Sequence, residues 1–233
     1  MVTSPLVVFD LDGTLVDTAP DLATTLNVIL AREGLPPVAY EAARNMVGGG
    51  ARVMLERGLA AVGRNLPTTA VDVLTRDFVE HYAAHIADRS EPFPGAEAAL
   101  ETLAERGYRL AVCTNKLEWL SVRLLDALDL SKRFAAICGA DTFGVSKPNP
   151  EILHRTIARA GAAGDGAVMV GDSPTDIATA RAAKIPVVAV DFGYTDTPVT
   201  TLAPDRIISR FGDLPDAVFA LIGDPSGSIH RKS

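Results

Sequence analysis

Hydrophobic positions along this chain follow two alternating rhythms. Short runs of consecutive apolar, β-favouring residues occur at Leu6–Phe9, 109–114, 135–139, 167–170 and Val187–Val190. Unbroken runs of this length are the pattern of strands covered on both faces. Between the later runs, apolar residues recur at helical spacing over Ala96–Glu105, 117–128, 151–160 and 175–183. Strands alternating with helices of this length predict an α/β fold, a mainly parallel sheet flanked by helices.

Residues 20–90 interrupt the alternation. Leu22, Leu26, Ile29 and Leu30 fall at helical spacing, as do Met54, Leu55 and Leu59, and then Val73, Leu74, Phe78 and Tyr82, with no strand pattern among them. The reading is a helical domain over 18–91, inserted into a sheet domain formed by 1–17 and 92–233. The segment Glu91, Pro92, Phe93, Pro94, Gly95 is a stiff return to the sheet. Two independent domains are the alternative. Against them, the first strand is too short to stand alone and needs later strands as neighbours.

Composition narrows the function classes. The 233 residues are 48% hydrophobic and 22% charged, ordinary for a globular chain, with a formal net charge of -7 and no basic stripe that would follow a nucleic-acid backbone. Nucleic acid is therefore not an expected partner. The two cysteines, Cys113 and Cys138, sit in apolar contexts without metal-ligand spacing and read as reduced core residues. No apolar stretch reaches the roughly 18 residues that span a bilayer, and no basic, hydrophobic leader opens the chain, so neither a membrane partner nor export is expected and the cytoplasm is the expected location. Residues 224–233, rich in Gly, Ser and charge and containing His230, read as a frayed tail with a surface histidine.

Polar residues gather where an open parallel sheet binds ligands, beyond the carboxyl ends of the strands. Asp10 and Asp12 follow the first run, Thr114 and Asn115 the second, Lys147 precedes a helix, and Asp172, Ser173 and Asp176 follow the run at 167–170. Each alone could be a solvated loop; together they predict a shared polar site. Carboxylates without histidine or cysteine favour a hard, oxygen-liking cation, Mg2+ rather than Zn2+. Lys147, backbone N–H groups near Gly13 and Thr14, and the Thr114 hydroxyl complete an inventory suited to phosphoryl transfer. Neither GxGxxG nor GxxxxGK[ST] follows the first strand, Gly48, Gly49 and Gly50 lie in the helical insert, and no GxSxG elbow is present. Dehydrogenase, P-loop and serine-hydrolase chemistries are correspondingly disfavoured.

DLDGT at 10–14, TN at 114–115, Lys147 before Pro148 and GDSPTD at 171–176 resemble the four motifs of the haloacid dehalogenase-like phosphatase superfamily. The resemblance implies a Rossmann-like sheet with a small helical cap. It implies that Asp10 is the nucleophile, that Asp12 is the general acid and then the base, and that Lys147 neutralises charge. It further implies that Thr114 and Asn115 hold phosphoryl oxygens and that Asp10, Asp172 and the backbone carbonyl of Asp12 ligate Mg2+. Asp176 is either an outer ligand or an orienter of Lys147, with Gly13, Thr14 and Ser173 in supporting positions. A second Asp at 12 argues against dehalogenation.

MVGGGARVMLERGL at 46–59, TNK at 114–116 and DFGYTDTPV at 191–199 look more narrowly like bacterial phosphoglycolate phosphatases, although Leu117 stands where relatives often carry proline. On that resemblance a closing cap brings the segment from Gly48 to Arg52, including Gly49, over the site. Arg52 or Lys116 then pairs with a substrate carboxylate, with a helix-surface role as the alternative for Arg52. The expected activity is Mg2+-dependent hydrolysis of 2-phosphoglycolate through an aspartyl phosphate. A phosphatase of the same mechanism acting on a sugar phosphate or pyrophosphate, a mutase and a non-catalytic phosphometabolite sensor are the alternatives. The sequence leaves monomer and homodimer both open.

Overall fold

The computed structural model describes residues 4–225, and the expectations for His230 and the last eight residues of the tail lie outside that range. In chain order the elements are β1 (Leu6–Phe9), β2 (Val16–Asp17), α1 (Ala19–Arg32), α2 (Tyr40–Arg44), α3 (Ala51–Ala61), α4 (Thr68–Ala84), β3 (Glu91–Pro92), α5 (Ala96–Glu105) and β4 (Arg109–Cys113). They continue with α6 (Glu118–Ala127), β5 (Ala136–Cys138), α7 (Pro150–Arg159), β6 (Ala167–Gly171), α8 (Pro174–Ala183), β7 (Val187–Val190), β8 (Arg206–Ile208) and α9 (Leu214–Ile222).

Six strands form one sheet in the order β5-β4-β1-β6-β7-β8, every neighbouring pair parallel. Successive side chains on a strand point to opposite faces, and this sheet buries both. Val7, Phe9, Val112 and Val170 pack with Leu103 of α5, Leu124 of α6 and Val218 of α9. Leu6, Val8, Cys113 and Met169 pack with Ile152 and Ile157 of α7 and Ile177 of α8. The sequence pattern missed β8, which pairs Val188 with Arg206 and Val190 with Ile208. It is three residues long and lies at the sheet edge with Ile207 exposed, so it carries no continuous apolar run.

The chain leaves β1 toward β4 on one side and leaves β6 toward β7 on the other. Loops therefore part at the carboxyl ends of these two central strands and open a crevice there. Asp10 and Asp172 are the first residues beyond β1 and β6, which puts both at that crevice.

Helices α1 to α4, the helical unit, pack on one another through Leu26 and Ile29 of α1, Leu55 and Leu59 of α3, and Leu74, Phe78 and Tyr82 of α4, within the same apolar cluster that includes Val7 and Phe9 of the sheet. On α4 the buried position is Val71; Val73 is 45% exposed, because the 71, 74, 78, 82 spacing keeps one helical face and 73 falls off it. Gly58 lets α3 approach α1, since a Cβ there would stand 2.6 Å from Leu26 Cδ1.

The unit departs and returns through a pair of strands too short to register in the sequence pattern. Val16 opposes Pro92 and Asp17 opposes Glu91 in an antiparallel ladder, extended by the Phe93 N–H donating to Leu15 O at 3.0 Å. Asp21, in the first turn of α1, braces this joint. Its buried Oδ2 accepts from Arg89 N at 3.0 Å, Ser90 N at 2.8 Å and Ser90 Oγ at 2.7 Å. Replacing Asp21 by Ala strands these donors, and the expected loss is roughly 2–3 kcal/mol in a denaturant titration. A loss below about 0.5 kcal/mol, the range of an ordinary surface substitution, would contradict that bracing role.

Candidate active site

The hydrogen-bond ladder of the sheet carries Asp10 into place. Its N–H donates to Val170 O at 2.9 Å, one residue beyond β1, so the carboxylate stands at the rim of the crevice. The chain then turns at Gly13, whose φ is +84°. A side chain there would be strained and would also put a Cβ 2.6 Å from Asp172 Oδ2, so glycine is required on two counts. The Gly13 and Thr14 N–H groups, expected as donors toward a phosphoryl group, are engaged inside this turn, with Val16 O and Leu11 O. Thr14 acts instead through its hydroxyl, which donates to Asp172 Oδ1 at 2.9 Å.

Asp172 follows β6. Its Oδ2 accepts from the Tyr194 N–H at 2.8 Å, and Ser173 begins α8 as an N-cap in a reciprocal capping box with Asp176. That box fixes Asp176, whose Oδ2 accepts from Ser173 N and Oγ, and whose Oδ1 accepts from Lys147 Nζ at 2.6 Å. The same ammonium lies 2.8 Å from Asp10 Oδ1. That contact is an ion pair without hydrogen-bond alignment, because Asp10 Oδ1 has no aligned donor among the described residues. Asp176 thus contacts Lys147 directly and also stands among the carboxylates that could hold a metal, so both roles open for it have a contact in the structure.

Oxygens of Asp10, Asp172 and Asp176 lie within 4.8 Å of one another, all buried. Burial raises the Asp10 pKa; Lys147 pulls it down, but repulsion from Asp176 and Asp172 adds to the rise and the net shift is upward. Asp172 is raised by burial and then by Asp176, against the opposing hydrogen bonds from Tyr194 N–H and Thr14. For Lys147, burial disfavours the charged form, yet Asp10 and Asp176 together outweigh it and its pKa rises. A single ammonium thus faces three buried carboxylates, one of which has an oxygen without an aligned donor. This donor set fits a hard divalent cation, and the cluster could bind a metal.

Asp12 is held apart from that cluster. Its Oδ1 accepts from Thr18 Oγ1 at 2.7 Å and pairs with Lys116 Nζ at 2.9 Å. Lys116 is itself buried, bonded to Tyr82 OH at 3.2 Å, and kept charged by Asp12 despite the penalty of burial. Thr114 accepts the Lys116 N–H on its hydroxyl at 3.2 Å. The Asn115 carboxamide makes a two-way brace, accepting from Lys147 N at 2.9 Å and donating to Lys147 O at 3.2 Å, with a further bond to Gly48 O of the helical unit at 3.3 Å.

Two cavities meet at Asp12. One, of about 220 Å³, lies between the helical unit and the sheet and is lined by Leu22, Met54, Phe78 and Leu120, with Lys116 and Gly49 on its wall. The other, of about 720 Å³, is more polar and runs past Asp172, Ser173 and Tyr194. Arg52 borders the first cavity, but its guanidinium is engaged by Glu56 at 2.9 Å and by Asp72 on the half-exposed helix surface. No helix of the described residues is long and apolar enough to cross a membrane.

Sequence reasoning did not single out Tyr194. Buried between the sheet and the joint of the helical unit, its hydroxyl donates to Asp17 Oδ1 at 2.6 Å and accepts from Ala19 N at 3.0 Å. Burial and Asp17 together raise its pKa, which keeps the phenol protonated. The only signal in the sequence was its place within DFGYTDTPV, which carries no chemistry by itself.

Comparison with known proteins agrees with this geometry. The model of the haloacid dehalogenase-like hydrolase family matches residues 7–190. A phosphoglycolate phosphatase of Mesorhizobium japonicum is 50% identical over 210 residues, covering 90% of this chain and 92% of the relative. One from Caulobacter vibrioides is 49% identical over 216 residues, covering 93% and 91%. Among solved structures, that of a predicted phosphoglycolate phosphatase from Haemophilus somnus superimposes with a TM-score of 0.85 at 30% identity, covering 93% of this chain and 98% of that one. With four aspartates and two lysines gathered at the crevice of its sheet, the chain belongs to the haloacid dehalogenase-like hydrolases, in their phosphoglycolate phosphatase family, and is a phosphatase.

Proposed function

We propose that this protein hydrolyses 2-phosphoglycolate to glycolate and phosphate, using Mg2+ and an aspartyl-phosphate intermediate. One observation carries the reading: two carboxylates two residues apart are held by different lysines, Asp10 by Lys147 and Asp12 by Lys116. That separation suits one group to attack phosphorus and the other to handle protons.

An Asp10 oxygen forms a bond to phosphorus as the bond to the ester oxygen breaks, and Asp12 delivers a proton to the departing glycolate oxygen. Water then attacks the acyl phosphate, gives its proton to Asp12, and releases inorganic phosphate with the Asp10 carboxylate restored. Lys147 offsets the negative charge that gathers on Asp10 and the phosphoryl group, and Asp176 keeps its ammonium aimed there. The Thr114 hydroxyl is available to the phosphoryl oxygens; Asn115 serves mainly by bracing the Lys147 backbone. Asp10, Asp172 and the Asp12 carbonyl would hold Mg2+, which supplies positive charge to the buried carboxylates and the transferring group.

We assign helices α1 to α4 the role of a cap, with glycolate in the cavity of about 220 Å³ that Lys116 borders. Lys116, a buried cation on that wall beside Asp12 and Tyr82, is the better partner for the substrate carboxylate, because the Arg52 guanidinium is turned to Glu56 and Asp72 on the half-exposed helix surface. The unpaired, buried Cys113 and Cys138 are in keeping with a reducing cytoplasm.

Steady-state kinetics across phosphate esters should give a kcat/KM for 2-phosphoglycolate at least about a hundredfold above that for sugar phosphates or pyrophosphate. Asp10→Asn should lower kcat about a thousandfold or more. Flat activity across the panel would favour the broader phosphatase, and binding without turnover would favour a sensor. Lys116→Met is expected to cost at least about tenfold more on 2-phosphoglycolate than on an uncharged ester, whereas equal losses would mark a structural role.

Metal binding should also depend on pH. Asp10 and Asp172 keep protons in the folded, metal-free chain at pH values where the unfolded chain, with carboxylate pKa values near 4, has lost them. Metal-free stability therefore falls as pH rises toward those raised values, and a cation must displace the protons. In thermal melts Mg2+ should raise Tm by several degrees at pH 8 and by much less at pH 5.5. A Tm indifferent to Mg2+, or an increment that ignores pH, would contradict the metal assignment.

A further inference from the structure

We propose that Arg44, on the helical unit, is a positioning residue for Asp172 and acts through the loop of Phe192, Gly193 and Tyr194. The inference rests on the reading of Asp172 as a metal-holding carboxylate. Arg44 is the last residue of α2, and its Nη2 donates to Phe192 O at 3.2 Å and to Gly193 O at 2.7 Å. Its guanidinium also lies over the Tyr194 ring, 4.9 Å from the centroid. One side chain of the helical unit thus grips three successive residues of the sheet domain.

That loop has no slack against Asp172. A Cβ at Gly193 would fall 2.2 Å from Asp172 Cβ, and the next N–H, that of Tyr194, donates to Asp172 Oδ2 at 2.8 Å. At the far end of the tyrosine, the hydroxyl is tied to Asp17 and Ala19, where the helical unit leaves the sheet. Arg44, the joint and Asp172 therefore bear on one short piece of backbone. Withdrawing the guanidinium leaves two carbonyls without their donor and removes the cation from the ring face, so the Tyr194 N–H is free to turn from Asp172. Both bonds come from the single Nη2, which lies one bond further from the backbone than a lysine ammonium would, so lysine falls short of the two carbonyls and has no planar group to lay over the ring.

The consequence is a coupling between the cap and the metal. With the helical unit seated, Arg44 holds the loop and Asp172 is aimed; with the unit swung away, that constraint is lost. By linkage, whatever tightens metal binding through this contact also favours the seated cap.

The test is a calorimetric titration of Mg2+ into the full chain, wild type against Arg44→Ala and Arg44→Lys, alongside melts with and without Mg2+ and kinetics at varied Mg2+. Loss of Arg44 should weaken Mg2+ binding about tenfold, the low end of what partners of metal ligands contribute. It should also shrink the Mg2+-induced rise in Tm and raise the Mg2+ concentration needed for half-maximal rate, with no rescue by lysine. Unchanged Mg2+ affinity, with Tm lowered equally in the two melts, would reduce Arg44 to a structural contact and overturn the proposal. Should the alanine variant fail to fold, Arg44→Gln, which keeps one planar donor, carries the same test and should show an intermediate weakening; unchanged affinity there overturns it equally. A wild-type chain that takes up no Mg2+ would sink the metal reading and this inference together.

Discussion

The ammonium of Lys147, lodged between Asp10 and Asp176, is the constraint on which the site depends. Three buried carboxylates this close would repel one another and take up protons, or the local fold would open. Lys147 holds two of them by its own charge, and each part of its setting keeps it there. Asn115 clasps its backbone from both sides, the capping box of α8 fixes Asp176, and the ladder between β1 and β6 fixes Asp10. One lysine does not balance the set, so the cluster could bind a cation, and on the proposed function that cation would in turn favour a phosphoryl group.

Fold and site were legible to different depths. The central strands announced themselves because a strand buried on both faces must be apolar at every position, as in Leu6–Phe9 and Val187–Val190. The edge strand β8 and the ladder of β2 with β3 escaped because two or three residues carry no periodicity and are defined only by their partners. Asp10, Asp12, Lys147, Asp172 and Asp176 could be collected because each sits at the end of a recognisable strand or the start of a helix. The pairing of Lys116 with Asp12, the brace made by Asn115 and the bridge of Tyr194 are contacts between distant segments, which spacing along a chain does not encode.

The helical unit and the sheet share more than a cavity. Lys116 of the sheet domain bonds to Tyr82 of α4 and lies 4.5 Å from its ring centroid, Asn115 reaches Gly48, and Arg44 reaches back to the loop over Asp172. Each of these contacts involves a residue that itself touches Asp12, Lys147 or the loop against Asp172. On the proposed cap role, seating these helices would close the apolar cavity and set the polar geometry together, which suits a reaction that excludes water from one step and admits it to the next.

In the proposed reaction Asp10, not water, attacks phosphorus first. The direct measurement is the stereochemical course at phosphorus, with a turned-over ester made chiral by sulfur and oxygen isotopes. Two in-line displacements, one by Asp10 and one by water, predict net retention of configuration. Net inversion would mean a single attack by water and would contradict the account.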